Sequence, residues 1–276
     1  SDRATIIKAF NTIKATYNIW DNLNLSEKIS YDYMTNTNDV LWDRFSNNGG
    51  PGGVMQRVIS KNEQLNTQTQ LTYNKAFGEH NVDALLGFET EDNKYAYNYL
   101  SGQDYPGDLY EFVNAGSTSA ESSYQAYRLT SFLGRVNYDF GGKYYLSASY
   151  RTDGSSRLAR DNRWGSFWSI SAAWRVIEES FMDSVKDWLT DLKIRASYGV
   201  NGTLPTDYFG YRGLSSLTNG YLEQPGIIQS QLKNDDLQWE TNYNLNLGLD
   251  FSLWNRLNVT LEYYTRTTKN LLMDRP

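Results

Sequence analysis

Apolar and polar residues alternate one by one along several stretches of the chain, a pattern that predicts β-strands with two unlike faces. In residues 144–151 the even positions hold Tyr, Leu, Ala and Tyr, whereas the odd positions hold Tyr, Ser, Ser and Arg. The same alternation returns in 166–175, 192–198, 237–251 and 257–264. The chain is therefore predicted to be an all-β protein in which each strand meets two different environments.

The pattern predicts about ten strands, and many of them exceed the five or six residues that are usual in soluble proteins. The connections alternate between short turns and long polar loops, as in an antiparallel up-and-down sheet. One connection of intermediate length, 178–187, is expected to form a small helix in place of a turn. The predicted strands are 9–20, 23–36, 56–77, 80–100, 123–140, 143–157, 163–177, 188–202, 236–252 and 255–270.

Apolar and polar residues would alternate in the strands of a soluble sandwich as well, so alternation alone does not choose between the two folds. Three features favour a transmembrane β-barrel. The strands are long enough to cross hydrocarbon at a tilt, which takes about 9 to 11 residues. Apolar stripes often end in aromatic residues, as Tyr144 and Tyr150 or Trp168 and Trp174 do, and such ends suit the two aromatic girdles of a barrel. The opposite face carries Asn, Ser, Thr, Gly and single charges. Because a cation facing lipid at mid-depth costs about 2 to 4 kcal/mol, Lys193 and Arg195 indicate the face that points to a wet interior.

Composition narrows the class further. No apolar run approaches the roughly 20 residues of a membrane helix, and the mean hydropathy is −0.63. A net charge of −6 with scattered Lys and Arg argues against a nucleic-acid partner, which would need a clustered basic surface. The absence of cysteine removes disulfides, thiolate metal sites and thiol nucleophiles. The first ten residues lack the order of a signal peptide, which leaves a mature chain, a cytosolic chain or a fragment.

Several long blocks resemble the barrel of SusC/RagA-type TonB-dependent outer-membrane transporters of Bacteroidetes. The resemblance runs from about Thr5 to the C-terminus and concerns the middle portion of that barrel. The blocks that carry it are LTYNKAFGEHNVDALLGFE (71–89), GRVNYDFGGKYYLSASYRTDGSSR (134–157), NRWGSFWSISAAWRV (162–176), DWLTDLKIRASYGVNG (187–202) and NDDLQWETNYNLNLGLDF (234–251).

The resemblance implies that residues 1–276 are a partial barrel domain with about ten of 22 strands, in the outer membrane of a Gram-negative cell. It also implies active import of glycans, oligosaccharides or peptides with a SusD-like surface lipoprotein, and energy from the TonB complex through a plug. No catalysis and no cofactor are expected. The plug and the TonB-interacting segment are absent from this sequence. Since a half barrel would leave two strand edges unpaired in hydrocarbon, the chain is expected to be part of a longer one.

Aromatic and arginine side chains in the predicted loops are the candidates for substrate contact. Tyr rings could stack on sugars, and forked arginine hydrogen bonds could hold an anionic or sugar ligand. The plainer interpretation of each is a solvated loop residue with local salt bridges, and for any single residue that interpretation is favoured. The candidates are Tyr105, Tyr110, Arg157, Arg160, Arg163, Tyr208 and Tyr211.

Other motifs favour structural interpretations. His80, the single histidine, lies in the predicted turn FGEHN without a second His or Cys, and is expected to be a wet turn residue rather than a metal ligand or base. The segment NNGGPGGV (47–54) lacks the Lys and Ser/Thr of a phosphate loop and is expected to be a flexible outer loop. Two alternatives to a transporter remain open: a self-contained ten-stranded outer-membrane enzyme, and a soluble carbohydrate-binding sandwich.

Overall fold

The computed structural model describes residues 1–221 and 224–271. Short segments of the expected domain, 222–223 and 272–276, lie outside the described residues. No helix in the described part of the chain is long and apolar enough to cross a membrane. The strands are β1 (Asp2–Trp20), β2 (Leu23–Trp42), β3 (Val54–Phe77), β4 (His80–Gln103), β5 (Ser117–Phe140), β6 (Tyr144–Ser155), β7 (Trp164–Arg175), β8 (Leu189–Thr203), β9 (Leu214–Tyr221), β10 (Gln224–Gln231), β11 (Glu240–Leu253) and β12 (Leu257–Lys269).

Ten of these strands form a single sheet in the order β1-β2-β3-β4-β5-β6-β7-β8-β11-β12. The pairs from β5 to β8 and from β8 through β11 to β12 are antiparallel. The prediction of an all-β, up-and-down sheet of ten strands is thereby confirmed. A sandwich would need two sheets with their apolar faces packed together. The second sheet of the described residues has only two strands, so this order argues against the sandwich alternative.

The strand ends differ from the sequence prediction mostly on the side of the long loops. Strand β1 begins at Asp2 rather than near residue 9, β2 continues to Trp42, and β5 begins at Ser117. The added residues lack a one-by-one apolar alternation, since Ile6 follows a mostly polar stretch with Ile7 beside it, the β2 extension ends in three consecutive apolar residues, and 117–122 are mostly polar. Hydrophobic periodicity could therefore not reveal them. The segment 201–235, expected to be one long loop, contains the two-stranded sheet of β9 and β10.

Short turns close the opposite ends of the strands. Gly141 and Gly142, between β5 and β6, have φ of +57° and +66°, and the Lys143 N–H donates to the Phe140 carbonyl at 3.0 Å. Both central residues of such a tight hairpin turn require positive φ, which glycine adopts without strain. The connection between β7 and β8 is helical as expected, with 3-10 helices at Val176–Glu178 and Ser180–Val185.

The chain folds into two compact units. Unit 1 contains 1–14, 28–67 and 90–128; unit 2 contains 15–27, 68–89 and 129–276. Buried apolar side chains are few for the part of the chain that the structure describes, and most lie in connections or at strand ends rather than along a face of the sheet. They are Tyr105, Leu158, Ala159, Val176, Ile177, Leu189, Val200 and Trp239.

Candidate functional site

The apolar face of the sheet in unit 2 is exposed. In β6 the even residues from Tyr144 to Tyr150 are exposed, whereas the odd residues from Tyr145 to Arg151 are only partly so. Tyr150 is 52% exposed and Ile170, in β7, is 47% exposed. Since large apolar side chains normally avoid water, this inverted pattern fits a sheet whose apolar face meets hydrocarbon.

Two rows of aromatic rings border this apolar face, which we call the belt: the outward-facing residues of β4 to β8, β11 and β12 in unit 2. Near the short turns Tyr144 stacks on Trp174, with centroids 6.4 Å apart. Near the long loops Phe132 stacks on Trp164, with centroids 6.3 Å apart. Trp164 and Trp174 stand ten residues apart on β7, about 33 Å along the strand. At the tilt of about 40° that barrel strands adopt, this spans about 25 Å, the height of an outer-membrane apolar band.

His80 belongs to the aromatic row near the short turns, so its assignment as a wet turn residue is wrong. It is the first residue of β4 and half-buried. Its Nδ1 lies 2.7 Å from the Tyr138 hydroxyl, and its ring lies 5.3 Å from Phe77 and 4.8 Å from Phe140. The alternation that places Val82 and Leu86 outward also places His80 outward. This pattern is visible in the sequence, but the motif FGEHN favours the prediction of a turn residue instead. Among the described residues no group of three or more His, Cys, Asp or Glu side chains could hold a metal ion.

Glu179 anchors the same aromatic row from the connection after β7. Its carboxylate accepts hydrogen bonds from the Tyr144 hydroxyl and, at 3.1 Å, from the Trp174 indole N–H. Lys143 Nζ lies 3.8 Å away. These hydrogen bonds hold the pKa of Glu179 below its ordinary value of about 4.5, and the bond from Tyr144 has the largest effect. The row of rings is thus tied to a carboxylate that stands outside the strands.

This lowered pKa predicts an acid-sensitive contribution to folding. A carboxyl group whose pKa is lower in the folded than in the unfolded state stabilises the folded protein. This stabilisation is complete at a pH above the unfolded-state pKa, and it is lost as the pH falls through the folded-state pKa. We expect the unfolding free energy of the full-length protein in vesicles to fall as the pH drops through and below about 4.5, and to fall less in Glu179→Gln. Asp187→Asn, which removes an exposed carboxylate in the same connection, is the control. An equal loss in Glu179→Gln and the parent protein would contradict this assignment.

The other face of unit 2 is a polar wall of hydrogen-bonded side chains. Ser149 and Ser169 Oγ atoms lie 2.6 Å apart, between β6 and β7. Arg151 donates to Glu89 at 2.9 Å, to Asp153 at 2.6 Å and to Ser131 at 2.8 Å. The charged groups of the wall are therefore paired with one another. A face of this kind suits a water-filled barrel interior and would not suit contact with hydrocarbon.

Arg195 joins the three strands β8, β11 and β12 in this wall. Its guanidinium donates to Asp250 at 2.6 Å and 3.1 Å, and to Glu262 at 3.0 Å. To reach Glu262 it crosses Gly248, where an added Cβ would lie 2.8 Å from Cζ of Arg195. Lys193 lies on the same face with its Nζ 5.3 Å from the Tyr145 ring centroid. Both cations thus lie on the polar face, as predicted.

Replacing Arg195 by Gln is expected to cost about 2 kcal/mol, because two neighbouring carboxylates lose their shared cation in a partly shielded site. The Arg195 side chain is 32% exposed. Arg128→Gln is the matched control, since Arg128 pairs with Asp92 at 2.7 Å but is 79% exposed. We expect its effect on the free energy of unfolding to stay under about 0.5 kcal/mol. Chemical unfolding of both variants in vesicles measures the difference, and equal losses would argue against a special role for the Arg195 cluster.

The family model described as TonB dependent receptor-like, beta-barrel matches residues 5–276. The chain belongs to this family. Its members are transporters and receptors, so the interpretation of the chain as a surface enzyme is wrong. The exposed belt and the polar wall are then the two sides of a TonB-dependent receptor barrel.

Relatives of known sequence place the chain more closely. It is 34% identical over 232 residues to TonB-dependent receptor P39 of Formosa agariphila, covering 79% of this chain and 22% of that protein. It is 29% identical over 258 residues to TonB-dependent receptor SusC of Bacteroides thetaiotaomicron, covering 91% of this chain and 26% of that protein. The resemblance to SusC-type barrels is confirmed. The chain spans about a quarter of the length of these curated relatives.

Solved structures agree in fold. The RagAB peptide transporter matches 100% of this chain and 31% of its own chain, with a TM-score of 0.93 and 23% identity. The siderophore receptor PiuA of Acinetobacter baumannii matches 95% of this chain with a TM-score of 0.58 and 14% identity. At such identities the likeness shows the fold alone, and the fold is that of a TonB-dependent barrel wall.

The structure brings together some of the predicted substrate contacts in unit 2. The Arg157 guanidinium lies 4.5 Å from the Tyr208 ring centroid and donates to the Pro205 carbonyl at 3.1 Å. The Tyr211 hydroxyl accepts a hydrogen bond from Arg212 at 3.1 Å. Arg160 is exposed in a 3-10 helix at Arg160–Asn162, and the Arg163 carbonyl accepts from the Trp239 indole at 3.0 Å. Arg157 and Tyr208 form one cluster, and a role of any of these residues in substrate contact stays a prediction.

Tyr105 and Tyr110 lie in unit 1, in one of two loops that interlock. We call residues 43–53 and 104–116 the two-loop platform. The Tyr105 N–H donates to the Gly52 carbonyl at 3.0 Å, and Tyr105 and Tyr110 pack edge to face with centroids 5.1 Å apart. Tyr105 is 4% exposed, and burial raises the pKa of its hydroxyl. Its ring therefore packs within the platform, and contact of Tyr105 or Tyr110 with substrate stays a prediction.

The glycines of NNGGPGG hold this platform together rather than forming a loose loop, which corrects the expectation for that segment. A Cβ added at Gly49 would lie 1.9 Å from the Asp43 carbonyl oxygen. One added at Gly52 would lie 2.5 Å from Asp104 Cα, and one at Gly53 would lie 2.5 Å from the Tyr110 ring. Such close approach of backbones requires glycine. A glycine-rich composition alone could not distinguish a closely packed segment from a flexible one.

Proposed function

We propose that this chain forms part of the barrel wall of an outer-membrane importer of nutrients in a Gram-negative bacterium. The observation that carries the proposal is the exposed apolar belt, bordered by aromatic rows, opposite a hydrogen-bonded polar wall. An apolar exterior and a polar interior are what a barrel needs to hold an aqueous or plugged lumen in lipid. Residues 1–276 would constitute part of one barrel domain.

The proposed cargo is glycans, oligosaccharides or peptides. Support comes from the likeness to proteins named SusC and RagAB peptide transporter. We propose that a SusD-like surface lipoprotein captures the nutrient and that the TonB complex supplies energy through a plug outside this sequence. Tyr105, Tyr110, Arg157, Arg160, Arg163, Tyr208 and Tyr211 remain the proposed loop residues for substrate contact.

Extraction of the full-length protein from native outer membranes tests this proposal. We expect an intact mass several times the 31.7 kDa of this chain, peptides that map beyond both of its ends, and a co-purifying lipoprotein. Uptake of the cargo should stop when the proton gradient or the TonB complex is removed. A stable product at 31.7 kDa in the soluble fraction would overturn the proposal.

A further inference from the structure

A groove lies in the belt beside the row of aromatic rings near the short turns. Its volume is about 400 Å³, within the range of about 300 to 1,000 Å³ that is usual for sites that hold a small molecule. Leu146, Ala172 and Ala196 are cross-strand neighbours on β6, β7 and β8, and they line it. The short side chains of Ala172 and Ala196 leave a depression between larger neighbours. Those neighbours are Tyr138, Tyr144, Trp174 and Ile194.

The lining of the groove is apolar because its three aromatic rings bind other groups with their polar atoms. The Tyr138 hydroxyl lies 2.7 Å from Nδ1 of His80. The Tyr144 hydroxyl and the Trp174 indole N–H both donate to Glu179. The carbon atoms of these rings are therefore what a ligand in the groove would contact. Such a lining suits an acyl chain and does not suit a sugar or a peptide backbone, whose polar groups would lose their hydrogen bonds.

A pair of opposite charges stands at the end of the groove toward the short turns. Glu179 binds two of the residues that line the groove, and Lys143 Nζ lies 3.8 Å from its carboxylate, which is longer than a direct hydrogen bond. An ammonium and a carboxylate in this arrangement complement a zwitterionic headgroup. Its phosphate would meet Lys143, and its own ammonium would meet Glu179. An anionic headgroup without an ammonium would gain only the first of these contacts.

We propose that this groove, with Lys143 and Glu179 at its end, binds one phosphatidylethanolamine molecule of the periplasmic leaflet. This inference rests on the proposed function, because the short turns of an outer-membrane barrel lie on the periplasmic side, where the leaflet consists of phospholipids. An acyl chain gains no hydrophobic free energy when it moves from the bilayer into an apolar groove. The headgroup contacts must therefore make the difference between this lipid and the lipids around it.

Native mass spectrometry of the full-length protein tests the headgroup contacts. The protein is released from nanodiscs that contain equal amounts of phosphatidylethanolamine, phosphatidylcholine and phosphatidylglycerol with identical acyl chains. We expect one retained phosphatidylethanolamine, preferred at least about tenfold over phosphatidylcholine, whose quaternary ammonium has no N–H to donate to Glu179. Glu179→Gln should reduce this preference to less than about threefold. Asp187→Asn, in the same connection, is the matched control and should leave it unchanged.

Filling the groove tests its role separately from that of the charges. The double variant Ala172→Phe and Ala196→Phe keeps the belt apolar and occupies the depression, so we expect it to lose the retained lipid. Ala84→Phe is the matched control, since Ala84 faces outward on β4 and does not line the groove. We expect Ala84→Phe to retain the lipid as the parent protein does. Heat-modifiable migration on gels verifies that each variant has folded as a barrel.

The outcomes separate this inference from the proposed function. Equal retention of the three lipids by a parent protein that resides in the outer membrane and imports its cargo would overturn the inference and leave the proposed function standing. Retention that is the same in the double variant and in the parent protein would indicate an ordinary lipid shell and would also overturn it. So would a photo-cross-linker at Ala172 that captures a second copy of the protein in native membranes. A parent protein found outside the outer membrane would sink the proposed function itself.

Discussion

Arginine in place of Ile170 is expected to cost the full-length protein about 2 to 4 kcal/mol of folding free energy in a bilayer. Ile170 is in the middle of the belt on β7, between Trp164 and Trp174, and is 47% exposed. A guanidinium there would meet hydrocarbon at mid-depth, where it has no carboxylate or water to solvate it. Reversible unfolding by denaturant in phospholipid vesicles measures the loss, and the amount of folded protein in the outer membrane should fall with it.

Ser171→Arg is the matched control, one residue along the same strand. Ser171 faces the polar wall and is paired across strands with Ser147 and Ser197. An arginine there can reach water and neighbouring carboxylates, so we expect a change of less than about 1 kcal/mol. Equal costs at Ile170 and Ser171, or a larger cost at Ser171, would contradict the assignment of the two faces.

Valine in place of Gly202 is expected to destabilise the loop end of β8 by about 3 kcal/mol. A Cβ at Gly202 would lie 2.0 Å from Cζ of Phe167. That ring has little room to move, since it packs edge to face on Trp239 with centroids 5.3 Å apart and also covers Gly165. Either β8 or the ring must shift, and both movements disturb a packed group. The same unfolding measurement gives the loss.

Two further variants make this result interpretable. Gly107→Val adds the same side chain where no atom lies within 4 Å of the new Cβ, and it should cost little. In the double variant Gly202→Val and Phe167→Ala the clash is gone, so the combined loss should be smaller than the sum of the two single losses. Strict additivity would show that Phe167 does not fill the space above Gly202.

The ten strands of the main sheet and its two faces could be predicted from the sequence because a period of two is visible in single residues. The faces of Tyr144 to Tyr150 and of Lys193 with Arg195 are predicted correctly for this reason. Cross-strand partners could not be predicted, since register depends on turns and on distant strands. The cluster of Arg195 with Asp250 and Glu262 needs residues 55 and 67 positions away, which no local pattern connects.

The loops are harder to predict than the strands. The β9–β10 sheet lies within a segment whose polar residues suggest a single loop, and its two strands are only eight residues each. The glycines of the platform suggest a flexible backbone, yet their lack of a side chain allows close packing against Asp104 and Tyr110. Glu179 gives no signal at all, because its hydrogen bonds to Tyr144 and Trp174 depend on how the short helical connection folds back.

Single-cysteine spin labelling at 146, 147, 148 and 149 of the full-length protein in vesicles tests the assignment of the faces most directly. Residues 1–276 contain no cysteine, and any cysteine elsewhere in the full-length protein is first replaced by serine. Labels at the even positions, in place of Leu146 and Ala148, should be relaxed by oxygen dissolved in lipid. Labels at the odd positions, in place of Ser147 and Ser149, should respond instead to a water-soluble paramagnetic reagent. Equal access of the water-soluble reagent at all four positions would contradict a lipid-facing belt, and the reverse order would place the polar wall on the outside.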